Sequence, residues 1–325
     1  MSVMTLVKAI NHALDLKLKE DENVVVYGED VGYEGGVFRV TQGLQEKYGA
    51  QRVFDSPLAE SGIIGSAIGM AVAGLKPVVE MQFSGFAYPG FNQMVSHLSR
   101  MRNRSRGKYT SSLVVRMPYG GGIKALEHHS ESMEALYGHI PGLKVVIPST
   151  PHDAKGLLTS AIESEDPIIY MEPKRIYRAV KQEVSEEMFR VQIGKANVVQ
   201  QGTDVTVVSY GAMMRDTQKA IAMAKKAGIS VELIDLRTVY PIDRETVASS
   251  IKKTGRLVSV TEAPRSFGPG GELIALANEE AFLYLEAPPK RVTGFDTIFP
   301  LPQGEHHYIP TPEKIYYEIE KTVKF

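Results

Sequence analysis

Short apolar runs that alternate with helical segments along the chain are the feature that most constrains its fold. In the first half, runs of strand length are separated by segments whose apolar residues recur at helical spacing. The predicted strands are Val24–Gly28, Val53–Asp55, Pro77–Met81, Leu113–Arg116, Leu143–Ile147 and Pro167–Met171. The predicted helices are Thr5–Lys19, a segment beginning at Glu60, Gly90–Arg104 and Pro151–Glu163. This alternation predicts an α/β fold whose parallel sheet carries helices on both faces.

A second alternation follows a polar stretch without clear period, which runs from Pro173 to about Val191 and suits a linker. Its predicted strands are Val205–Tyr210, Ser230–Asp235 and Arg256–Thr261, and its predicted helices are Met214–Ala227, Arg244–Thr254 and Gly270–Leu283. A chain of 325 residues is long enough for two ordinary domains. We therefore predict two three-layer, parallel-sheet α/β domains at residues 1–185 and 195–325.

Composition and charge exclude several classes of protein. A formal net charge of −1 gives no general attraction to nucleic acid or acidic membranes, and the basic run Arg100–Lys108 suits a solvated or subunit-contacting helix end. The absence of cysteine excludes disulfides, thiolate metal sites and a cysteine nucleophile. The N-terminus has no signal-peptide pattern, and Ile63–Leu75 is too short and too rich in small residues for a membrane span. We expect a soluble, cytoplasmic protein.

Glu60 is a carboxylate in an apolar, glycine-spaced segment, with no basic residue within seven positions on either side. The small residues after it give a helix a flat face that another helix can approach closely; they are Ser61, Gly62, Gly65, Ser66, Gly69 and Ala73. A carboxylate buried at such an interface must be neutralised or meet a specific partner. Glu60 is therefore either a plain helix N-terminal acid, which the macrodipole favours, or an acid that shares a proton with a ligand.

Three loops of the first half follow predicted strands, where ligands of parallel sheets bind. The first contains Glu29, and the second, Gln82–Tyr88, offers an amide and aromatic faces that also suit a protein core. The third is the glycine-rich Pro118–Gly122, which is followed by Glu127-His128-His129-Ser130. Two histidines and an acid leave a metal site open, although no third ligand has a diagnostic spacing. No GxGxxG, Walker or GxSxG motif is present.

Taken together, these segments resemble the beta subunits of the thiamine-diphosphate-dependent first component of 2-oxo acid dehydrogenase complexes. The resemblance spans almost the whole chain in order. It rests on Gly28–Val31, Gly36–Arg39, Asp55–Gly62, Glu80–Phe83, His129–Ser132, His139–Pro148, Ile234–Thr238 and Thr261–Pro264. It implies a pyrimidine-binding domain followed by a transketolase-type C-terminal domain, which agrees with the fold predicted from periodicity.

The resemblance also implies roles for individual residues. Glu60 matches the glutamate that hydrogen-bonds the pyrimidine ring nitrogen of the cofactor and shares a proton with it. Leu58, Gln82 and Phe86 match positions that line the pyrimidine, with Phe86 as the stacking ring, and Glu29 matches an acid near Glu60. His129 matches a histidine that orients the lipoyl group and donates a proton during reductive acylation, whereas His128 fits less well.

Thiamine enzymes of this kind bind the diphosphate through magnesium on a Gly-Asp-Gly motif, and this motif is absent from the chain. The resemblance therefore implies half a cofactor site, with an alpha subunit that holds magnesium and diphosphate in an α2β2 heterotetramer. It further implies the acyltransferase as a partner, through its lipoyl domain and its peripheral binding module. Glu286 and Phe325 are the residues we expect to contact that module, with Glu279 and Glu280 as further acids of the same surface.

The resemblance also implies a structural potassium ion, which backbone carbonyls around Ala161, Ile162, Ser164 and Asp166 would mainly hold. Ser164 and Asp166 stand where relatives often have aspartate and asparagine. Pyruvate is the favoured substrate, with branched-chain 2-oxo acids and acetoin as alternatives. A second hypothesis, from a different functional class, also stays open. The chain would then be a non-catalytic α/β partner that only completes an interface, with Glu60 as an ordinary helix acid.

Overall fold

A computed structural model describes all 325 residues. The contacts between residues divide the chain into two compact units, and each unit draws on two stretches of sequence. The first unit comprises Met1–Tyr119 and Leu136–Ile193, and the second comprises Gly120–Ala135 and Gly194–Phe325. The segment Gly120–Ala135 thus packs with the second unit although it lies within the first half of the sequence. The periodicity of the sequence did not predict this packing.

The strands and helices are numbered in chain order. The strands are β1 (Ser2–Thr5), β2 (Val24–Gly28), β3 (Val53–Asp55), β4 (Lys76–Glu80), β5 (Val114–Tyr119), β6 (Lys144–Val146), β7 (Ile168–Pro173), β8 (Lys181–Val184), β9 (Asn197–Gln200), β10 (Val205–Ser209), β11 (Val231–Asp235), β12 (Thr238–Tyr240), β13 (Leu257–Val260) and β14 (Lys290–Val292). The helices are α1 (Leu6–Glu20), α2 (Leu44–Tyr48), α3 (Glu60–Val72), α4 (Tyr88–Ser96), α5 (Met101–Arg104), α6 (Glu134–Gly138), α7 (Pro151–Glu163), α8 (Met213–Lys226), α9 (Arg244–Thr254), α10 (Pro269–Ala281), α11 (Glu305–Tyr308) and α12 (Pro312–Val323). None of the helices has both the length and the hydropathy needed to cross a membrane.

The first unit is built on a parallel sheet in which the strand order is β6-β7-β5-β4-β2-β3. Strands β2, β5 and β7 are buried along their whole length, because helices cover the sheet and leave no solvated face. Helix α1 packs against α7, and α3 packs against α4. Since the strands run in parallel, the loops that follow β2, β3 and β4 leave the same edge of the sheet.

The second unit has the strand order β14-β13-β10-β11-β9, in which only the edge strand β9 is antiparallel. Helix α8 packs against α12, and α9 packs against α10. The prediction of two three-layer α/β domains is therefore confirmed, with the addition that the second sheet is mixed. Strand β9 lies within the second predicted domain but was not among its predicted strands, and the packing of Gly120–Ala135 with the second unit was not predicted either.

Two local predictions were wrong. The predicted helix Gly90–Arg104 is interrupted: α4 ends at Ser96, a 3-10 turn covers Leu98–Arg100, and α5 follows. The polar stretch taken as a linker contains β8, which pairs with the N-terminal strand β1 in an antiparallel ribbon. Both errors concern short elements that are stabilised by packing rather than by their own periodicity.

Candidate active site

The carboxyl edge of the first sheet brings together the loops that carry most of the predicted site residues. Gly28 at the end of β2 pairs with Asp55 of β3 on one side and Glu80 of β4 on the other. Glu29 follows β2 directly, Glu60 begins the helix that follows β3, and Gln82 follows β4. Parallel register thus places these three side chains at one edge of the sheet, where open α/β sheets bind ligands.

Glu60 is the first residue of α3, and contacts with α4 fix where that helix starts. The hydroxyl of Ser61 donates a hydrogen bond to the backbone oxygen of Pro89. Gly90 lies so close to this turn that a Cβ at its position would be 3.1 Å from the backbone oxygen of Glu60. Glu60 itself is half-buried in the single chain, with Leu58 79% exposed on the loop before it. These contacts fix the backbone at Glu60, and its half-buried side chain remains accessible to a ligand.

Glu29 is a second half-buried acid at this edge. Partial burial raises the pKa of Glu29, and the nearby carboxylates of Glu60 and Asp30 raise it further. The side-chain amide of Gln82 donates a hydrogen bond to Asp30 across 2.8 Å, which fixes the amide and leaves its carbonyl oxygen to accept. The edge therefore presents closely spaced carboxyl groups beside an oriented amide.

Phe86 supplies the aromatic surface of the same edge. It lies in a 3-10 turn after β4, with its ring half-buried and edge-to-face with the buried Phe83 at a centroid distance of 5.3 Å. The ring of Phe38 also packs edge-to-face with Phe83, at a centroid distance of 5.5 Å. The contact with Phe83 positions the half-buried ring of Phe86 at this edge, and an aromatic ring there can stack on a flat heterocycle.

A fully buried ion cluster lies in the strands behind this edge. The guanidinium of Arg116 in β5 binds Glu80 of β4 at 2.7 Å and Glu172 of β7 at 2.7 and 3.0 Å, and the hydroxyl of Tyr177 donates to Glu172 at 2.5 Å. Burial raises the pKa of Glu80 and Arg116 opposes that rise, while the two carboxylates hold the pKa of Arg116 far above its usual range despite its burial. The cluster ties three adjacent strands together, and sequence periodicity did not reveal it.

The predicted histidines belong to the second unit, on the segment Gly120–Ala135. We call this segment the histidine loop. Its 3-10 turn Glu127–His129 places His129 half-buried and His128 exposed, so the two imidazoles occupy different environments. Three residues predicted as possible metal ligands lie here, but the structure has no group of three histidine, aspartate or glutamate side chains that could hold a metal ion.

Hydrogen bonds to carboxylates dock the histidine loop on the second unit. The Gly121 N–H donates to Glu262 at 3.1 Å, and the Lys124 N–H donates to Glu305 at 3.1 Å. The backbone at Gly121 lies against Phe299, where a Cβ would come within 2.3 Å of the ring. A side chain at this point of the loop would therefore force the ring of Phe299 to move.

Glu134 at the end of the histidine loop is fully buried, and its position could not be inferred from the sequence. Tyr210 donates a hydrogen bond to one carboxyl oxygen at 2.8 Å, whereas the other carboxyl oxygen has no hydrogen-bond partner. Burial raises the pKa of Glu134 to about 7; the charge of Glu262 adds to the rise, and the bond from Tyr210 opposes it. In the sequence Glu134 looks like an ordinary acid of a short helix.

The segment expected to hold potassium follows α7. The Ser164 N–H donates to the backbone oxygen of Ala161 at 3.2 Å, and the Ser164 hydroxyl donates to the backbone oxygen of Asp166 at 2.9 Å. The Asp166 carboxylate is held by Arg102 and Lys144, each at 3.0 Å. The backbone oxygens of Ala161 and Asp166 each keep a second lone pair, whereas the Asp166 carboxylate forms ion pairs.

The residues expected to contact the acyltransferase lie on the surface of the second unit. Glu286 is exposed and paired with Arg256 at 2.7 Å, and Phe325 at the C-terminus is 77% exposed. Arg244 binds Glu279 and Glu280 at 2.8 and 2.7 Å. These acids therefore already have cationic neighbours, which any basic partner must displace or share.

Comparison with known proteins places the chain among well-defined relatives. Residues 2–180 match the family described as "Transketolase, pyrimidine binding domain", and residues 194–315 match "Transketolase, C-terminal domain". Three relatives are each named pyruvate dehydrogenase E1 component subunit beta. They come from Acholeplasma laidlawii (59% identity; 100% of this chain, 99% of the relative), Mycoplasma pneumoniae (52%; 98% and 97%) and Staphylococcus epidermidis (50%; 100% and 100%).

A solved structure shows the same fold at much lower sequence similarity. It is described as "Split gene transketolase, inactive beta4 tetramer" and superposes with a TM-score of 0.82 at 22% identity, covering 99% of each chain. The likeness extends over both units, although at this identity it bears on the fold alone.

Proposed function

The chain belongs to the family of pyruvate dehydrogenase E1 component beta subunits, and from this we infer that it is the beta subunit of an enzyme that oxidatively decarboxylates pyruvate and acetylates a lipoyl group. The structural observation that carries the proposal is the array of Glu29, Glu60, Gln82 and Phe86 at one edge of the first sheet. A non-catalytic interface protein would not need accessible acids beside an oriented amide and a supported ring.

Thiamine diphosphate is the cofactor that the family implies, and when bound it supplies a carbon nucleophile that attacks the 2-oxo carbon and accepts the electrons left after decarboxylation. The residues present fit its pyrimidine. Glu60 would hold a proton at a ring nitrogen, Phe86 would stack on the ring, and the free carbonyl oxygen of Gln82 would accept from the exocyclic amine. The exposed Leu58 would cover the pyrimidine. The raised pKa of Glu29 would disfavour a negative charge on Glu29 beside Glu60.

The diphosphate has no site of its own on this chain, since the sequence lacks the magnesium motif Gly-Asp-Gly. We therefore propose an α2β2 heterotetramer in which the alpha subunit holds magnesium and diphosphate, acting in the cytoplasm. We further propose potassium at the free lone pairs of the Ala161 and Asp166 carbonyls, with Ile162 and Ser164 nearby, as a structural ion.

Cofactor binding tests the half-site and the function together. The isolated chain should bind thiamine diphosphate with magnesium weakly or not at all in calorimetry, and addition of an alpha subunit should restore tight binding and decarboxylation. Pyruvate should be the preferred acid in a panel that also holds branched-chain 2-oxo acids and acetoin. Tight, magnesium-dependent binding to this chain alone would refute the half-site, and an inactive but fully assembled complex would favour the interface protein.

Replacing His129 with alanine should affect the two half-reactions unequally. If the His129 imidazole serves acyl transfer, the complete reaction with the lipoyl domain should fall by roughly 10²–10⁴-fold, the range for loss of a general acid. Decarboxylation measured with an artificial electron acceptor should fall far less. His128→Ala is the matched control, because His128 is exposed one position away. Equal losses in both assays, or a larger effect at His128, would contradict the role of His129.

Docking of the acyltransferase should depend on Glu286 and Phe325. We propose that they contact the small basic peripheral binding module, for which charged contacts mainly accelerate association and weaken with salt. Glu286→Lys, or deletion of Phe325, should lower the association rate in surface plasmon resonance and leave decarboxylation by the free heterotetramer unchanged. Glu313→Lys makes the same change of charge at an exposed residue of α12 and should have little effect. Salt-independent binding that is equal in all variants would place the docking surface elsewhere.

A further inference from the structure

A small cationic cavity lies at the carboxyl ends of β13 and β14 in the second unit, where open parallel sheets commonly bind ligands. It encloses about 240 Å³. The residues that line it and matter here are Arg265, Arg291, Thr293, Phe295, Asp296 and Lys314. We call it the β13–β14 cavity.

Three cationic side chains face the β13–β14 cavity, and none of them forms an ion pair with a carboxylate. The guanidinium of Arg291 donates to the backbone oxygen of Arg265 at 3.0 Å, and that of Arg265 donates to the backbone oxygen of Arg291 at 3.5 Å. The ammonium of Lys314 donates to the backbone oxygen of Thr293 at 3.2 Å and lies 4.6 Å from the ring centroid of Phe295. Backbone oxygens therefore hold these groups in place without neutralising them.

Two acids lie at the β13–β14 cavity, and neither forms an ion pair with the three cations; the hydrogen bonds from Ser266 lower the pKa of Asp296, and the backbone N–H and the charge of Arg265 lower it further. Both carboxyl oxygens of Asp296 accept hydrogen bonds from Ser266, one from its N–H and one from its hydroxyl, each at 2.8 Å. Glu318 makes no ion pair with the three cations. Partial burial lowers the pKa of Lys314; Glu318 opposes that effect and the charge of Arg265 adds to it. An anion placed among these side chains would offset the repulsion between Lys314 and Arg265.

We propose that the β13–β14 cavity binds a phosphate group, either inorganic phosphate or the phosphate of a small ester. The forked guanidinium groups of Arg265 and Arg291 suit phosphate oxygens, and the ammonium of Lys314 adds a point charge. The cavity is smaller than the roughly 300–1,000 Å³ of sites that enclose whole drug-sized ligands. It therefore encloses the phosphate, and any attached organic group extends towards the half-exposed ring of Phe295. None of the proposed catalytic residues lines this cavity.

Isothermal titration of the full chain with inorganic phosphate, in phosphate-free buffer at constant ionic strength, tests the proposal. Wild-type protein should bind one phosphate per chain, and Arg265→Gln and Lys314→Gln should each weaken binding by about tenfold or more, as expected for loss of a hydrogen bond to a charged group. Lys321→Gln removes the same charge from the same helix outside the cavity and should bind phosphate like the wild type. Thermal unfolding of each variant establishes that it is folded.

Adenosine monophosphate distinguishes the two sources of the phosphate. Affinity equal to that of inorganic phosphate supports a site for the free ion, whereas tighter binding that is lost in Phe295→Ala supports an aromatic phosphate ester. No saturable binding of either ligand to wild-type protein would overturn the proposal. The same loss of affinity in Lys321→Gln as in Lys314→Gln would also overturn it, because the attraction would then come from general surface charge.

Discussion

Replacement of Glu60 with glutamine is expected to lower decarboxylation by roughly 10²–10⁴-fold, the usual contribution of a positioned acid or base, while the chain remains folded. Glutamine keeps the shape of the side chain and can still hydrogen-bond a pyrimidine, but it cannot share a proton with it. The start of α3 should not move, because the hydroxyl of Ser61 and the close approach of Gly90 position that turn through the backbone. Steady-state turnover of the assembled heterotetramer, with pyruvate and an artificial electron acceptor, measures the effect.

Two controls make the Glu60→Gln result interpretable. Assembly with the alpha subunit and affinity for thiamine diphosphate should be followed in the same samples, so that a loss of turnover is not a loss of cofactor. Glu29→Gln is the matched variant, because it removes a neighbouring carboxyl group of the same edge and should reduce turnover less. Near-normal turnover of fully assembled Glu60→Gln enzyme would refute the catalytic role of Glu60.

Replacement of Arg116 with methionine should have the largest effect on stability, a loss of about 3–5 kcal/mol in the free energy of unfolding. The substitution leaves the carboxyl groups of Glu80 and Glu172 buried without their shared cation. Chemical unfolding of the variant and the wild type, followed through the first transition, measures the loss. Lys47→Met removes the more exposed ion pair with Asp15 and should cost about 0–1 kcal/mol.

The pH dependence gives an independent check on Arg116→Met. Burial raises the pKa of Glu80 and Arg116 opposes that rise, so without the guanidinium the folded-state pKa of Glu80 should lie further above its unfolded value, and the folded state should bind more protons than the unfolded state. The variant should therefore be least destabilised in mildly acidic solution and lose stability as the pH rises towards neutrality. A pH-independent loss below about 1 kcal/mol would show that the cluster is not needed for stability.

The parts of the fold that follow from local periodicity were predictable from the sequence. The strand β2 and the helix α7 have continuous or helically spaced apolar residues, and their bounds agree closely with the structure. The interruption after Ser96 was not predictable, because neither proline nor glycine marks it. Family membership and fold class are confirmed by the comparisons, whereas the roles of individual site residues stay predictions.

Some residues of the candidate site could be predicted from the sequence, and others could not. Glu29, Glu60 and Gln82 were accessible to sequence reasoning because each lies just after a strand or at the start of the next helix, and parallel register brings such positions together. Glu134, Tyr210 and Glu262 are far apart in sequence and meet only in the folded second unit, so no local pattern indicates them. The cations of the β13–β14 cavity also come from separate segments of the sequence, so no local pattern indicates them.

The histidine loop has a consequence for any attempt to divide this protein. A cut in the polar stretch before Gly194 would yield a C-terminal fragment without residues 120–135, exposing Tyr210, Glu262 and the ring of Phe299 that the loop covers. The N-terminal fragment would in turn carry that loop with no surface to receive it. A recombinant C-terminal fragment of this protein should therefore need residues 120–135, supplied as a synthetic peptide or joined to it covalently, to bury that surface.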